Sequence, residues 1–128
     1  MPHFIIDCSE NILDQKSPGE IMNAVYETAE NSGLFAKGDI KVRLKPFKYY
    51  KMDDGKESFI HIFGNIMAGR TIEQKTSLSR QIIERLNLMF PDIPILSINI
   101  QEFKAATYCN KSLINPENKN KDRHFPGH

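Results

Sequence analysis

The sequence predicts an α+β fold in which a four-stranded mixed sheet carries two helices on one face. Four short segments are rich in Ile, Val and Phe, as β-strands are, and two amphipathic segments have self-capping helix starts. Their order is strand, helix, strand, twice over, and two strands joined through a helix are expected to be parallel. The opposite sheet face then has no cover from this chain, which argues for an oligomer.

The first half of the chain begins with a predicted strand over Pro2–Cys8, followed by a polar connection over residues 11–16. Ser17 then has the position of a helix N-cap, with Glu20 three residues later to complete a capping box. Apolar residues follow at helical spacing, and Gly33 is expected to end the helix because glycine readily adopts the left-handed C-terminal conformation.

Residues 40–45 alternate apolar and basic side chains without exception. This pattern predicts a half-buried strand with Lys41, Arg43 and Lys45 on one face. Pro46 lacks a backbone N–H and restricts the far end of this strand to a sheet edge or a bulge.

The second half repeats the first after a hairpin-like link with a turn at residues 53–55. Residues 58–67 form a predicted strand with apolar side chains on both faces, which suits a central position. Thr71 begins a second capping box, and the long helix after it is expected to end before Pro91. Residues 95–103 alternate again and form the last predicted strand.

Composition restricts the classes of function. With 128 residues, 26% of them charged, and a net charge of +1, the chain is typical of a soluble domain and gives no electrostatic case for nucleic acid or membranes. The two cysteines and four scattered histidines have no metal-ligand spacing, so we expect no metal and a cytoplasmic protein with reduced thiols. Residues 1–115 form the predicted domain, and the polar residues 116–128 are expected to be a disordered tail.

Pro2 follows the initiator methionine and leads directly into a strand. If the methionine is trimmed, Pro2 carries a free secondary amine held by the sheet. Burial and nearby cations would lower the pKa of this amine toward neutrality, where a general base is useful. The structural alternative is a proline that is simply tolerated at the start of a strand, and it is the more frequent case for the dipeptide alone.

Four stretches, in order and at matching separations, together carry a family resemblance. They are Met1-Pro2-His3-Phe4-Ile5, Asp39-Ile40-Lys41-Val42-Arg43, Ala68-Gly69-Arg70-Thr71 and Ala106-Thr107-Tyr108-Cys109-Asn110-Lys111. On these residues the sequence resembles the 5-carboxymethyl-2-hydroxymuconate isomerase family of the tautomerase superfamily, over nearly the whole chain to about Leu113. With this resemblance, a catalytic role for Pro2 is favoured over the structural alternative.

The resemblance implies a βαββαβ tautomerase-like fold and a homotrimer that covers the open sheet face. It also implies a cofactor-free isomerase of unsaturated 2-hydroxy or 2-oxo di- or tricarboxylates, with Pro2 as base and then acid. Such substrates need cationic partners. Arg70 precedes a helix N-terminus and matches the family at this position, which favours a carboxylate anchor over a solvated arginine. Arg43 matches a second family arginine, whereas Lys41 replaces an arginine often found there and lacks its planar fork.

Several alternatives stay open at this stage. The basic face of the second strand is also compatible with plain solvent exposure. Two roles stay open for His3, which either lines a site or makes a subunit contact. His61 is expected to be a hydrogen-bonded core or interface residue. A non-catalytic trimeric ligand-binding protein of the same fold is the main alternative function. An isomerase acting on a smaller enolisable oxo acid is another.

Overall fold

The computed structural model describes residues 1–114 and has the predicted α+β architecture. The strands are β1 (His3–Ser9), β2 (Lys41–Phe47), β3 (Phe59–Met67) and β4 (Ile95–Phe103). The helices are α1 (Pro18–Asn31), α2 (Ile72–Met89) and the short α3 (Lys111–Ile114), with 3-10 turns at Glu10–Asp14 and Ala105–Thr107. The tail expected at residues 116–128 lies outside the described residues.

The four strands form one mixed sheet in the order β2-β1-β3-β4. β1 runs parallel to β2 and antiparallel to β3, and β3 runs parallel to β4. Each strand pair separated by a helix is therefore parallel, as the sequence predicts. The helices α1 and α2 pack against each other, and they contact β2 and β4 respectively.

The core lies between the helices and one face of the sheet. Phe4 and Ile6 of β1 and Ile60 and Ile62 of β3 alternate with more exposed residues and are fully buried. At Gly64 the side chains of the two neighbouring strands lie so close that an added Cβ would be 2.6 Å from a side-chain carbon of β4 and 3.2 Å from the Phe4 ring of β1. Both helices share this core, which confirms that they cover the same sheet face.

The link between β2 and β3 differs from the hairpin-like connection expected from the sequence. The two strands do not pair, because β1 lies between them and bonds to both. The physical reason is that β1 and β3 are the strands with the most buried side chains and take the central positions, while β2 carries Pro46 and lies at the edge. The turn at residues 53–55 is present, with a hydrogen bond from the Lys56 N–H to the Asp53 carbonyl oxygen.

Both capping boxes are confirmed, at Ser17 with Glu20 and at Thr71 with Gln74. The supposed polar connection before Ser17 is more structured than expected, because Ile12 is fully buried and fixes a 3-10 turn against the core. No helix among residues 1–114 is long and apolar enough to cross a membrane.

Candidate active site

The start of β1 is held between two neighbouring strands. The Pro2 carbonyl oxygen accepts a hydrogen bond from the Lys41 backbone N–H at 3.0 Å. His3, the next residue, pairs with Lys41 of β2 on one side and with Asn65 of β3 on the other. Pro2 itself is buried. Its nitrogen is therefore fixed at one end of the sheet, unlike the loosely held termini of most domains.

Met1 precedes Pro2 in this structure and carries the amino group of the chain. That amino group lies 3.5 Å from Oδ2 of Asp39, two residues before β2. While Met1 is present, the Pro2 nitrogen belongs to a peptide bond and has no basic lone pair.

Lys41, Arg43 and Lys45 share the sheet face opposite the helices, as the alternation predicts, and all three are exposed. The Arg43 guanidinium reaches across to β1, where Nη1 lies 3.1 Å from His3 Nδ1. The Lys41 ammonium donates to the Asp39 carbonyl oxygen at 2.7 Å. These contacts bring two cations next to the first residues of β1.

His3 is partly buried among these charges. Burial is the largest effect that lowers the pKa of its imidazole below the ordinary value of 6.5, and the positive charges of Arg43, Lys41 and the amino terminus lower it further. The ring also meets Phe103 edge-on, with centroids 6.3 Å apart. Burial and the surrounding positive charges therefore both favour the neutral form of the His3 imidazole.

Arg70 lies after β3, at the same end of the sheet as Met1. Its Nη2 donates to the Leu34 carbonyl oxygen at 2.6 Å and its Nη1 to the Met67 carbonyl oxygen at 3.3 Å. The guanidinium also lies over the Phe35 ring, 5.1 Å from its centroid. Arg70 thus ties the loop after α1 to the end of β3, a structural contact that the sequence did not reveal.

The parallel pairing of β1 with β2 brings Lys41 to Pro2 through their backbones and the Arg43 side chain to His3. Arg70 is held instead by the backbone carbonyls of Leu34 and Met67. Sequence reasoning left His3 undecided and gave Asp39 no role of its own. The alternation of β1 provided a usable indication for His3, since it places this residue on the same face as Ile5, opposite to Phe4.

His61 lies in central β3, and its Nδ1 is 2.7 Å from Ser97 Oγ. This contact agrees with the hydrogen-bonded position expected for His61. Among residues 1–114, no three His, Cys, Asp or Glu side chains lie together in a way that could hold a metal ion.

The family model for 5-carboxymethyl-2-hydroxymuconate isomerase matches residues 2–117, which is most of the chain. The chain belongs to the 5-carboxymethyl-2-hydroxymuconate isomerase family. A relative from Escherichia coli, 5-carboxymethyl-2-hydroxymuconate Delta-isomerase, is 28% identical over 109 residues, covering 80% of this chain and 86% of the relative.

Two solved structures place this family member among known folds. A 5-carboxymethyl-2-hydroxymuconate isomerase from Deinococcus radiodurans R1 superposes with a TM-score of 0.74 at 24% identity, covering 85% of this chain and 87% of that one. A fused 4-OT described as a symmetric trimer has a TM-score of 0.67 at 10% identity, covering 81% and 87%. The fold is that of the tautomerase superfamily, and membership of the isomerase family makes the protein an isomerase.

Proposed function

We propose that this isomerase interconverts the enol and keto forms of an unsaturated 2-hydroxy or 2-oxo di- or tricarboxylate, without a cofactor. The free amine of Pro2, exposed when Met1 is removed, is the general base and then the acid. The observation that carries the proposal is the fixed position of Pro2, whose carbonyl oxygen is bound by the Lys41 backbone N–H, one residue from His3 and its contact with Arg43. Positive charge from Lys41 and Arg43 on the neighbouring strand would help to keep the Pro2 amine neutral, as a base requires.

The reaction conserves all atoms of the substrate. The neutral Pro2 amine takes the proton of the 2-hydroxyl group, and the oxygen–hydrogen electron pair forms the carbonyl. The carbon–carbon double bond shifts, and the Pro2 ammonium returns its proton to a carbon further along the chain. One secondary amine suits both steps because its conjugate acid supplies the second proton transfer.

The carboxylates of such a substrate need cationic partners. Arg43 and Lys41 are exposed on the sheet face beside β1 and carry the charge to attract them. Arg70 remains a proposed anchor, although its guanidinium also donates to two backbone carbonyls. Lys41 supplies a point charge where the family often has a bidentate arginine, and this difference bears on substrate specificity.

We propose a cytoplasmic homotrimer in which neighbouring subunits cover the open sheet face. Phe63 of central β3 is 40% exposed on this face, and the trimeric fused 4-OT of the same fold supports the stoichiometry. Sedimentation analysis should give three times the monomer mass, and Phe63→Glu should dissociate the assembly. A wild-type monomer at micromolar concentration would contradict this part of the proposal.

The experiment that tests the proposed activity is the substitution Pro2→Ala, assayed with 2-hydroxymuconate on protein whose Met1 has been removed. We expect kcat/KM to fall by about 100-fold or more, the contribution of a general base. Pro18→Ala, at the exposed start of α1, is the matched control and should keep wild-type activity. Full activity in Pro2→Ala would refute Pro2 as the base.

A non-catalytic trimeric ligand-binding protein is the second candidate. In protein that keeps Met1, the Met1 amino group pairs with Asp39 and Pro2 has no free amine to act as a base. Intact mass spectrometry separates the two candidates, because a protein that keeps Met1 has an amide at the Pro2 nitrogen.

A further inference from the structure

His3 has a hydrogen-bond partner at each ring nitrogen, and the two partners have opposite chemistry. Arg43 Nη1 lies 3.1 Å from Nδ1, and Met1 Sδ lies 3.1 Å from Nε2. A guanidinium can only donate hydrogen bonds, and a thioether sulfur can only accept them. Nδ1 must therefore be the acceptor, and Nε2 must carry the hydrogen. Both neighbours independently require this one tautomer of the neutral imidazole.

The surroundings of the ring oppose its protonation. An imidazolium would direct a second N–H at the Arg43 guanidinium and add a positive charge near Lys41 and the amino terminus. The pKa of His3 is lowered accordingly. The edge contact with Phe103 fixes the ring plane. His3 therefore presents a neutral, oriented Nε2–H group in the direction of Met1.

From these contacts we propose that removal of Met1 makes the His3 Nε2–H a hydrogen-bond donor to a carboxylate oxygen of the substrate. This inference rests on the proposed function. Trimming takes away the sulfur, and a partly buried donor then needs another acceptor. A carboxylate is a far stronger acceptor than a thioether. Lys41 and Arg43 attract the anion, while His3 fixes its orientation next to the Pro2 amine, one residue away.

The first test is nitrogen-15 NMR of histidine-labelled, Met1-free protein with cis,cis-muconate, a dicarboxylate that lacks the 2-hydroxyl group and is not isomerised by this reaction. The His3 signals are those absent from His3→Gln. We expect the Nε2–H tautomer in the free protein and a shift of its Nε2 signal when muconate is added. Protein that retains Met1 is the matched control and should show no shift, since the sulfur occupies the donor.

The second test compares two substitutions by muconate titration. His3→Phe keeps a ring but no donor and should weaken binding about tenfold, the effect of one charge-assisted hydrogen bond. His3→Gln places an amide N–H near the Nε2 position and should recover most of the affinity. In turnover of 2-hydroxymuconate, His3→Phe should raise KM more than it lowers kcat.

The inference is overturned if free His3 is the Nδ1–H tautomer or is charged at neutral pH, or if muconate leaves its Nε2 signal unchanged. It is also overturned if His3→Phe binds muconate as the wild type does. The NMR result on wild-type protein decides the matter even if the variants fold poorly. Pro2→Ala should still shift the His3 signal, so full turnover in Pro2→Ala with the muconate shift intact would refute the proposed base and leave this inference standing.

Discussion

Replacing Arg70 by methionine should lower the free energy of unfolding by about 2 kcal/mol. The guanidinium makes two charge-assisted hydrogen bonds to backbone carbonyls, of 2.6 and 3.3 Å, and lies over the Phe35 ring. Each such bond contributes about 1.5 kcal/mol or more when buried. Because the Arg70 side chain is only partly buried, water can replace part of the hydrogen-bond energy lost in the variant. Methionine also retains the apolar part of the arginine side chain, which further reduces the loss.

Urea denaturation followed by circular dichroism measures the effect, and Arg85→Met is the matched control. Arg85 forms a 2.9 Å ion pair with Glu27 between the two long helices, but the side chains are 42% and 46% exposed. An exposed pair of this kind contributes about 0.5 kcal/mol or less. Arg70→Met should therefore unfold at a clearly lower urea concentration than Arg85→Met. Equal midpoints would refute a stabilising role for the Arg70 contacts.

Arg70→Met also distinguishes the two roles considered for Arg70, a substrate anchor and a structural contact. A carboxylate anchor predicts that KM rises in Arg70→Met, with partial recovery in Arg70→Lys, which keeps the charge but not the fork. A purely structural residue predicts lower stability with an unchanged KM. Unchanged KM in a folded Arg70→Met protein would remove Arg70 from the proposed substrate site.

Three further predictions concern the core and the thiols. Leu86→Ala in α2 removes a fully buried side chain and should cost about 3 kcal/mol of stability in urea denaturation; a loss below about 1 kcal/mol would contradict the packing. Gly64→Ala should cost about 1–2 kcal/mol in the same assay because its Cβ would press on the buried Phe4 ring, and a stabilised variant would contradict this. Burial raises the pKa of the Cys8 thiol from its ordinary value of 9.0 to about 11, with a smaller effect from a neighbouring carboxylate, whereas Cys109 is exposed. A thiol reagent should label Cys109 in the folded protein and Cys8 only after unfolding, and the stability owed to the neutral Cys8 thiol should fall as the pH rises above 9.0.

Local features of the fold were predictable because each depends on residues close in sequence. The capping boxes at Ser17 and Thr71 form within one helical turn, and both appear as expected. The alternation over residues 40–45 placed Lys41 and Arg43 on one face correctly. The order of the strands depends instead on which of them bury most side chains, and this non-local competition placed β1 between β2 and β3.

The candidate site was predictable only in part. Pro2 stays a prediction, made from its position after the first methionine and from the family resemblance. The contact between His3 and Arg43 depends on the register of two strands 40 residues apart in sequence. The hydrogen bond from Arg70 to the Leu34 carbonyl likewise joins distant loops. No local pattern encodes such contacts, since they form only when the sheet has been assembled.

The central claim is that a free Pro2 amine carries out the proton transfer, and removal of Met1 from one preparation tests it most directly. Protein that retains Met1, verified by intact mass, is treated with methionine aminopeptidase while activity on 2-hydroxymuconate and the mass are followed together. We expect activity to appear in proportion to the loss of one methionine residue. Full activity before trimming, or none after complete trimming, would contradict the proposed mechanism.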